Sequence, residues 1–323
     1  MKICTFFDSG YQSRAAAMLL SSGSHRPGNQ ALLLLDDDVS DQNMSASETQ
    51  RLSKFLKSHE LIAEITASRS WTEQIFSVGP SFLLSQMPSL SPDEWLVYAD
   101  ADLYFFRPLE EYLVRFDEAN VIIAPHRHFA WNQKRLAKYG KFNVGLVAFR
   151  NNNEGLAALK YWADSCLDWC FDVPADGKYA DQKYLENFSM VANGVVVDSR
   201  QGANLAPWNL GYSKLALDAN DQLTIDGEPV YYFHAQGIRR IKSAWILGHL
   251  PYLSLASRSA KKLIYKPYLA GLLRWEEVNP AGVSASSRHS RFQTGSVMLS
   301  FIRALQFLLG QVISDSQLRR SSK

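Results

Sequence analysis

The chain is poor in cysteine and has no long apolar run. Its three cysteines, Cys4, Cys166 and Cys170, have no metal-ligand spacing, and so low and odd a number suits a reducing cytoplasm. No stretch reaches the roughly 18 apolar residues that span a bilayer. The start of the chain, Met1 to Phe7, is strand-like and lacks the basic and apolar regions of a signal peptide. We therefore expect a cytoplasmic protein, either soluble or attached peripherally to the membrane.

Two common phosphate-binding motifs are also missing. The sequence contains neither a Gly-x-Gly-x-x-Gly fingerprint nor a Gly-x-x-x-x-Gly-Lys-Ser/Thr loop. Their absence excludes the usual dinucleotide-binding and P-loop sites. If the chain binds a nucleotide, a metal ion must therefore supply the phosphate site.

What the sequence does contain is enough apolar material for a large core. Hydrophobic residues make up 46% and aromatic residues 12% of the 323 residues, which permits one large or two modest domains. The net charge is +2, yet the residues from Arg239 onward include 14 Lys and Arg against 3 Asp and Glu. Such a basic segment can approach anionic lipid or an anionic glycan, or it is simply a solvated surface. We expect no nucleic-acid partner.

The first part of the chain alternates between strand-like and helix-like patterns. This alternation favours an α/β fold with a parallel, doubly wound sheet. In that fold the carboxyl ends of the strands face one crevice, where ligands bind. The predicted strands are Ile3 to Phe7, Ala31 to Leu35, Leu61 to Thr66, Trp95 to Tyr98 and Val121 to Ala124, and the predicted helices are Gln12 to Leu20, Ser47 to Lys57 and Thr72 to Gln86.

The apolar strand Trp95 to Tyr98 delivers two carboxylates at its end. Asp100 and Asp102 are two positions apart, so in extended backbone both project to one side and can ligate one cation. Hard oxygen ligands favour Mg²⁺ or Mn²⁺, and a cation held by few protein ligands keeps positions open for a diphosphate. The alternative is that the two aspartates only begin a turn.

Polar groups follow other apolar segments in the same way. Asp8 and Tyr11 close the first strand. A strand from Lys141 to Phe149 begins with Asn143 and Gly145, where glycine lets another group approach the backbone closely. These positions are candidates for ligand contacts at the crevice.

A histidine that ends an apolar strand is a further candidate ligand for the same metal site. His234 follows Val230 to Phe233, and Gly237, Arg239 and Arg240 come soon after it. Imidazole can complete a carboxylate metal site, glycine permits close backbone approach, and an arginine fork neutralises a phosphate. Otherwise, a histidine at a strand end is usually structural.

Three more segments lie between these motifs. Asn153 to Phe171 is predicted to be an amphipathic helix whose aromatic residues belong to the core, and Asp181 could cap the helix that follows it. The segment Gly202 to Asn209 is a polar and aromatic loop. Such a loop suits contacts with a hydroxyl-rich ligand and equally suits a rigid turn.

Taken in order, these motifs resemble GT-A nucleotide-sugar glycosyltransferases, and in particular family 8-like bacterial enzymes of surface-polysaccharide synthesis. The resemblance runs from Ile3 to about Lys242. It implies an α/β GT-A fold, Rossmann-like, with a mixed central sheet. Five segments carry it, namely Thr5 to Tyr11, Tyr98 to Tyr104, Phe142 to Gly145, Asp181 with Gln182, and His234 to Gly237.

The resemblance also implies a role for each site residue. Asp100, Asp102 and His234 would bind Mn²⁺ or Mg²⁺, and Asp181 and Gln182 would lie beneath the reacting anomeric carbon. The remaining donor contacts would come from Asp8 and Tyr11 for the nucleoside, Asn143 and Gly145 for the sugar, and Gly237 with Arg239 or Arg240 for the diphosphate.

Two departures from the family pattern stand out. Arg240 or Arg239 occupies the place of the family's terminal lysine, which keeps the charge and changes the geometry. The family's cation on the helix before the metal strand has no counterpart in Pro80 to Leu84.

The implied reaction is metal-dependent transfer of a sugar from a nucleoside-diphosphate sugar, with UDP the expected nucleotide, to a saccharide or lipid-linked acceptor. The resemblance implies retention of configuration. A haloacid-dehalogenase-type phosphatase also uses Asp-x-Asp, but that class places the motif near the N-terminus with Thr or Val two residues later, whereas Leu103-Tyr104 follows here. A catalytically silent nucleotide-sugar binder of the same fold is the other alternative.

We expect a catalytic domain at residues 1–244 and a basic, mainly helical extension at 245–323. Within the extension, Ala281 to Gly295 resembles a linker, and Val297 to Ile313 is a strongly apolar helix. This helix either docks on the core or lies on the inner membrane face, where lipid-linked acceptors would be found.

Overall fold

A computed structural model describes residues 1–23, 29–39, 48–211, 213–279 and 305–320. Fifteen strands and eleven α-helices have their bounds within these ranges, besides short 3-10 and π segments and the helical residues 305–308. The strands are β1 Lys2–Phe7, β2 Gln30–Leu34, β3 Glu48–Arg51, β4 Trp95–Ala99, β5 Leu103–Phe105, β6 Val121–Pro125, β7 Phe142–Arg150, β8 Val195–Val197, β9 Leu215–Leu217, β10 Leu223–Ile225, β11 Glu228–Pro229, β12 Tyr232–His234, β13 Arg239–Ile241, β14 Ala244–Ile246 and β15 Val312–Ser314. The helices are α1 Gln12–Ser21, α2 Leu52–Ser58, α3 Glu60–Thr66, α4 Trp71–Gln86, α5 Leu109–Leu113, α6 Lys134–Tyr139, α7 Asn153–Asp168, α8 Phe188–Val191, α9 Arg258–Ala260, α10 Lys266–Val278 and α11 Asp315–Arg320.

The centre of the molecule is a seven-stranded mixed sheet in the order β3-β2-β1-β4-β7-β6-β8. Strands β3, β2, β1 and β4 are parallel to one another, and so are β6 and β8. Strand β7 lies between β4 and β6 and is antiparallel to both. The predicted α/β fold with a mixed central sheet is confirmed. The alternation of strands and helices alone had predicted a fully parallel sheet. The sheet is mixed because β7 follows β6 along the chain and pairs with it directly as an antiparallel neighbour, without a crossover helix on the sheet face.

Both faces of this sheet are covered, and β4 shows how the sequence achieves this. All five of its residues are buried. Leu96 and Tyr98 point to a core cluster formed with α4 and α7, whereas Val97 and Ala99 point to a second cluster formed with α1 and α5. A strand buried on both faces has no polar positions to alternate with, which explains its continuous apolar run.

The helices on the first face begin with side-chain caps. Ser70 and Glu73 form a reciprocal capping box at the start of α4, and the Asn152 side chain accepts a hydrogen bond from the Gly155 amide at the start of α7. These contacts satisfy amide groups that have no partner within the helix. The predicted helix Thr72 to Gln86 is therefore confirmed, and the second predicted helix ends at Asp168, three residues before the predicted end at Phe171.

Two predicted elements are wrong. The segment Ser47 to Lys57, predicted to be one helix, contains the edge strand β3 followed by α2. Leu61 to Thr66, predicted to be a strand, forms α3, where the Thr66 hydroxyl donates to the Ile62 carbonyl at 2.8 Å. The β-branched residues of this segment favoured a strand, but as a helix Ile62 packs against the core cluster that includes α4, and the Thr66 hydroxyl accepts from the Gln74 side chain of α4 at 3.3 Å.

The C-terminal part of the described chain joins the same body. Strand β12 pairs antiparallel with β5, and β13, β14 and β15 form a small antiparallel sheet. A third core cluster includes Ala17 of α1, Phe233 of β12, Tyr268 of α10 and Ile313 of β15. Residues on both sides of position 244 therefore share one cluster, and the division into a catalytic domain and an extension stays a prediction.

The predicted apolar helix Val297 to Ile313 is only partly covered by the structure. Residues 297–304 and the predicted linker Ala281 to Gly295 lie outside the described residues. Residues 305–308 are helical, but Ile313 lies in β15, so the predicted end of the helix is wrong. No helix within the described ranges combines the length and apolar character needed to cross a membrane.

Candidate metal centre

The pairing of β12 with β5 brings His234 to the aspartates that follow β4. His234 lies opposite Leu103 in this pair. Its Nε2 atom is 3.2 Å from Oδ1 of Asp102 and 3.5 Å from Oδ2 of Asp100. One ligand atom from each of the three residues lies within 4.8 Å of the others. The structure thus brings together the three residues that were predicted to bind a metal.

The two aspartates meet through a turn and not along a strand. Strand β4 ends at Ala99, and the Leu103 amide donates to the Asp100 carbonyl at 3.0 Å, which closes a turn over residues 100–103. Asp102 is buried, whereas the Asp100 side chain is 31% exposed. The expectation that both side chains project from extended backbone is therefore wrong. The aspartates lie in a turn, and this turn still places both carboxylates beside His234.

Asn143 fixes the orientation of the His234 ring. Its Oδ1 atom accepts hydrogen bonds from Nδ1 of His234 at 3.0 Å and from the Gly145 amide at 3.2 Å. Because this oxygen can only accept, the Nδ1 atom carries the proton and Nε2 faces the two carboxylates. Metal-binding histidines are commonly held in this way by an acceptor on the second ring nitrogen.

Gly145 lies where any side chain would collide with this pair. A Cβ atom at position 145 would be 2.6 Å from Nδ1 of His234 and 2.7 Å from Oδ1 of Asn143. The Gly145 carbonyl also accepts from the Asp100 amide at 2.8 Å. Close approach to the backbone was predicted here, and the group that approaches is His234.

Tyr98 supports the other aspartate from within the core. Its hydroxyl donates to Oδ1 of Asp100. The ring stacks on Phe6 at 4.9 Å and meets the edge of Trp162, whose Nε1 donates to the Asp181 carbonyl at 2.8 Å. Burial, with the charge of Asp100, raises the pKa of Tyr98 well above its usual value, so the hydroxyl keeps its proton.

The electrostatics of the cluster keep the Asp102 carboxylate charged. Burial alone would raise the pKa of Asp102, but His234 and Arg14 outweigh it, and the pKa lies below its usual value. Burial likewise opposes the charged form of His234, but Asp102 and Asp100 raise the pKa of its imidazole. Two carboxylates and one imidazole nitrogen form a donor set that suits Mn²⁺ or Mg²⁺. The residues present therefore fit a divalent cation.

Arg14 was not identified from the sequence. It lies in the first turn of α1, and its side chain is 12% exposed. Nη1 is 3.9 Å from Oδ2 of Asp102, Nη2 donates to the Ile238 carbonyl at 2.6 Å, and the guanidinium lies 4.7 Å from the centre of the Tyr11 ring. The only feature of the sequence that could have pointed to Arg14 is its charge among the small and apolar residues of α1.

The predicted nucleoside residues lie beside this arginine. Tyr11 ends a single 3-10 turn that follows β1, and its amide donates to the Asp8 carbonyl at 3.0 Å. The charge of Asp8 acts on both Tyr11 and Arg14. The structure therefore brings Asp8 and Tyr11 to the edge of the sheet where the metal cluster lies, and their contact with a nucleoside stays a prediction.

The two predicted phosphate-binding arginines face different surroundings. Arg240 donates to Glu276 and to Asp315, each at 2.6 Å, and its guanidinium lies over the Trp245 ring. Arg239 is exposed. Gly237 adopts a φ of +76°, which forms the turn before them. A phosphate contact by Arg240 would require both carboxylates to release it, and the predicted role stays a prediction.

Asp181 and Gln182 follow a strained residue, Ala180, whose φ is +45°. Asp181 is buried, and its charge contributes to the raised pKa of Tyr98. The side-chain Nε2 of Gln182 donates to the Tyr139 carbonyl at 2.8 Å. The segment that follows is a 3-10 helix without a side-chain cap, so the predicted capping by Asp181 is wrong.

An aromatic group packs behind His234. Trp208, which is 1% exposed, meets the His234 ring at 5.3 Å between ring centres. The loop Gly202 to Asn209 thus supplies a ring that packs against His234, and its contact with a hydroxyl-rich ligand stays a prediction. His126 and His128 stack on each other at 5.0 Å and flank Trp208. Burial lowers the pKa of His126 to about 3 and that of His128 to about 4, so both rings are neutral near neutral pH.

Comparison with known proteins adds relatives but no matching family model. The chain is 26% identical over 239 residues to the uncharacterised protein YfnD of Bacillus subtilis, covering 70% of this chain and 75% of YfnD. It is 23% identical over 245 residues to the uncharacterised protein YfnF of the same organism, covering 73% of this chain and 81% of YfnF.

Among solved structures, the chain is similar to the galactosyltransferase LgtC in complex with donor and acceptor sugar analogues. That likeness has a TM-score of 0.47 and 14% identity, and it covers 85% of this chain and 96% of the LgtC chain. Mouse xyloside xylosyltransferase 1 is also similar, with a TM-score of 0.39, 13% identity, and coverage of 73% of this chain and 97% of that chain. Both are glycosyltransferases, the class that the sequence motifs resemble.

Proposed function

We propose that the protein is a metal-dependent glycosyltransferase that uses a nucleoside-diphosphate sugar, with UDP the expected nucleotide. The observation that carries the proposal is the cluster of Asp100, Asp102 and His234, held by Asn143 and Tyr98 at the carboxyl ends of β1 and β4. In α/β proteins this edge of the sheet is where ligands commonly bind.

The three clustered side chains would hold Mn²⁺ or Mg²⁺. Such a cation would stabilise the negative charge that develops on the diphosphate leaving group as the bond to the sugar breaks. The protein's part is to hold the Asp100 carboxylate and to orient the imidazole. The Tyr98 hydroxyl, which keeps its proton, and the acceptor on Nδ1 of His234 serve those two tasks.

The remaining donor contacts rest on the family resemblance. Asp8 and Tyr11 would bind the nucleoside, and the Gly237 turn with Arg239 or Arg240 the diphosphate. Asn143 with Gly145 would contact the sugar, and Asp181 with Gln182 would lie beneath its anomeric carbon. We propose retention of configuration, with the acceptor hydroxyl entering on the side of the leaving group. In that geometry the leaving phosphate can take the proton from the acceptor, and no separate general base is required.

The donor site can be tested by thermal unfolding with UDP or GDP, each with Mn²⁺ or with a chelator. A ligand at about 100 times its dissociation constant adds roughly 2.7 kcal/mol to the free energy of unfolding. We expect UDP to raise the unfolding temperature only with Mn²⁺, and GDP to have a smaller effect. No shift with either nucleotide in the presence of Mn²⁺ would reject the proposed donor site.

A silent nucleotide-sugar binder is the second candidate, and one observation favours it. The Gln182 side chain is already bonded to the Tyr139 carbonyl, so it would have to turn to reach a sugar. The two candidates differ in turnover. A chain that binds UDP with Mn²⁺ but neither transfers nor hydrolyses any UDP-sugar, followed by the anomeric proton signal in NMR, would be such a binder.

We propose that the acceptor is a saccharide or a lipid-linked saccharide, reached at the cytoplasmic membrane face. Phe307 and Leu308 are 52% and 84% exposed. Lys261 donates to the Gly310 carbonyl at 2.6 Å, and Lys262 and Arg258 are exposed nearby in the chain. Apolar side chains beside basic residues suit an anionic lipid surface.

Replacing Leu308 with serine tests this surface. Because the side chain is exposed, the unfolding temperature should not change, but affinity for vesicles containing phosphatidylglycerol should fall by about tenfold. Leu61→Ser is the matched control, since Leu61 is 68% exposed in α3. Equal co-sedimentation of the wild type and both variants would contradict the membrane contact.

A further inference from the structure

Arg14 connects three parts of the candidate site that come from distant parts of the chain. Its guanidinium contacts the ring of Tyr11 in the 3-10 turn before α1, the Asp102 carboxylate after β4 and the Ile238 carbonyl after β12. An arginine in such a position stays charged at any pH at which the protein is folded. It therefore contributes a fixed positive charge and a fixed geometry.

Arg14 and His234 face different oxygen atoms of the Asp102 carboxylate. Oδ1 faces Nε2 of His234 at 3.2 Å, and Oδ2 faces Nη1 of Arg14 at 3.9 Å. A carboxylate held in this way presents one oxygen to the cluster. The second oxygen faces the arginine at ion-pair distance, and the attraction between the two charges favours this orientation of the carboxylate.

Arg14 also holds one end of the turn that follows His234. The Ala235 amide donates to the Asp102 carbonyl at 2.9 Å, and the Ile238 amide donates to the Ala235 carbonyl at 3.3 Å. Arg14 then fixes the Ile238 carbonyl. The turn around Gly237 is thus tied at its start to the backbone of Asp102 and at its end to Arg14.

The charge of Arg14 matters for an anionic ligand. Asp8 and Asp102 act on it electrostatically, and Asp100 belongs to the same cluster as Asp102, so a divalent cation would leave one of these three negative charges unbalanced. Arg14 brings this group to neutrality. Without the arginine, the group would be negative even with the cation bound and would repel a diphosphate.

We propose that Arg14 is a positioning residue that holds Asp102 and the Gly237 turn in the geometry for a metal-bound diphosphate. This inference rests on the proposed metal site but not on the identity of the nucleotide. It predicts different effects on two ligands. Loss of the positive charge removes a repulsion on the cation, so the affinity for Mn²⁺ alone should stay unchanged or rise, whereas binding of the metal-bound diphosphate should weaken.

The test uses the full chain and two probes, Mn²⁺ alone and inorganic pyrophosphate with saturating Mn²⁺. In Arg14→Gln we expect pyrophosphate affinity to fall by about tenfold or more, as for loss of a charged hydrogen bond. Arg14→Lys keeps the charge without the fork and should recover part of that loss. Free Mn²⁺ can be measured by electron paramagnetic resonance and pyrophosphate binding by calorimetry.

Arg150 provides a matched control. It stacks over the Trp95 ring at 4.3 Å and donates to the Ala119 carbonyl at 3.0 Å, but it pairs with the opposite end of β4. Arg150→Gln should lower the unfolding temperature without changing pyrophosphate affinity relative to Mn²⁺ affinity. This control separates loss of stability from loss of the positioning role.

Each other outcome decides against the inference or identifies a different failure. If Arg14→Gln and Arg14→Lys weaken Mn²⁺ and pyrophosphate equally, in step with a lower unfolding temperature, Arg14 is only structural. If neither affinity changes, Arg14 has no role there, while the proposed function stands. If the wild type binds neither Mn²⁺ nor pyrophosphate, the metal site and this inference both fall. Pyrophosphate binding without UDP binding would reject only the expected nucleotide.

Discussion

Replacing Asp102 with asparagine is expected to lower the transfer rate by about 10²-fold or more, as for loss of one preorganised electrostatic group. The amide keeps the shape of the carboxylate, but it loses the charge that faces His234 and Arg14. The rate should be measured at saturating Mn²⁺ and donor, together with the unfolding temperature.

Asp164→Asn is the matched control for that result. Asp164 pairs with Lys160 at 2.6 Å on the surface of α7, where both side chains are more than half exposed. Exposed pairs of this kind contribute little, so neither rate nor stability should change measurably. Wild-type turnover by the Asp102 variant, with Mn²⁺ still required, would show that the cluster is not the catalytic metal site.

The second large effect is expected from a single methyl group at Gly145. A Cβ atom there would overlap both Nδ1 of His234 and Oδ1 of Asn143, since each is closer than 3.0 Å. Neither neighbour can move freely, because each is bonded to the other and Trp208 packs against the His234 ring. We expect Gly145→Ala to weaken Mn²⁺ binding by about 10- to 100-fold, the usual cost of disturbing the groups that orient a ligand.

Gly271→Ala is a suitable comparison for this variant. Gly271 lies inside α10, and a Cβ atom there would meet only the Ala17 side chain at 4.0 Å, an ordinary contact. This control should gain up to about 1 kcal/mol of stability from improved helix propensity. If Gly145→Ala binds Mn²⁺ as tightly as Gly271→Ala does, the His234 ring is not fixed as the structure indicates.

Much of the fold could be predicted because its central strands are buried on both faces. Strand β4 and helix α4 were recognised from continuous apolar character and length. The segments at β3 and α3 were not, because β3 is a partly exposed edge strand and α3 forms where packing against α4 overrides the strand propensity of its residues. At such positions the tertiary surroundings decide the conformation.

The site was predictable only in part, for a related reason. Asp100, Asp102 and His234 could be found because their residue types and order resemble a known motif. Tyr98 could not, since it looks like an ordinary core residue of β4 and acts through one hydroxyl. Arg14 is similarly hidden in α1, because the sequence does not show which distant carbonyl and carboxylate its guanidinium reaches.

The bond between Asn143 and His234 has a consequence for how the protein matures. These residues are 91 positions apart, and Arg240 reaches Asp315 over a further separation of 75 positions. Contacts between such distant segments form late, because the intervening chain must first be ordered. During synthesis the metal ligands therefore exist long before the site does. Tight Mn²⁺ binding would then report that the segments from β4 to β12 have reached their native arrangement, and it would serve as an assay of their correct folding as well as of activity.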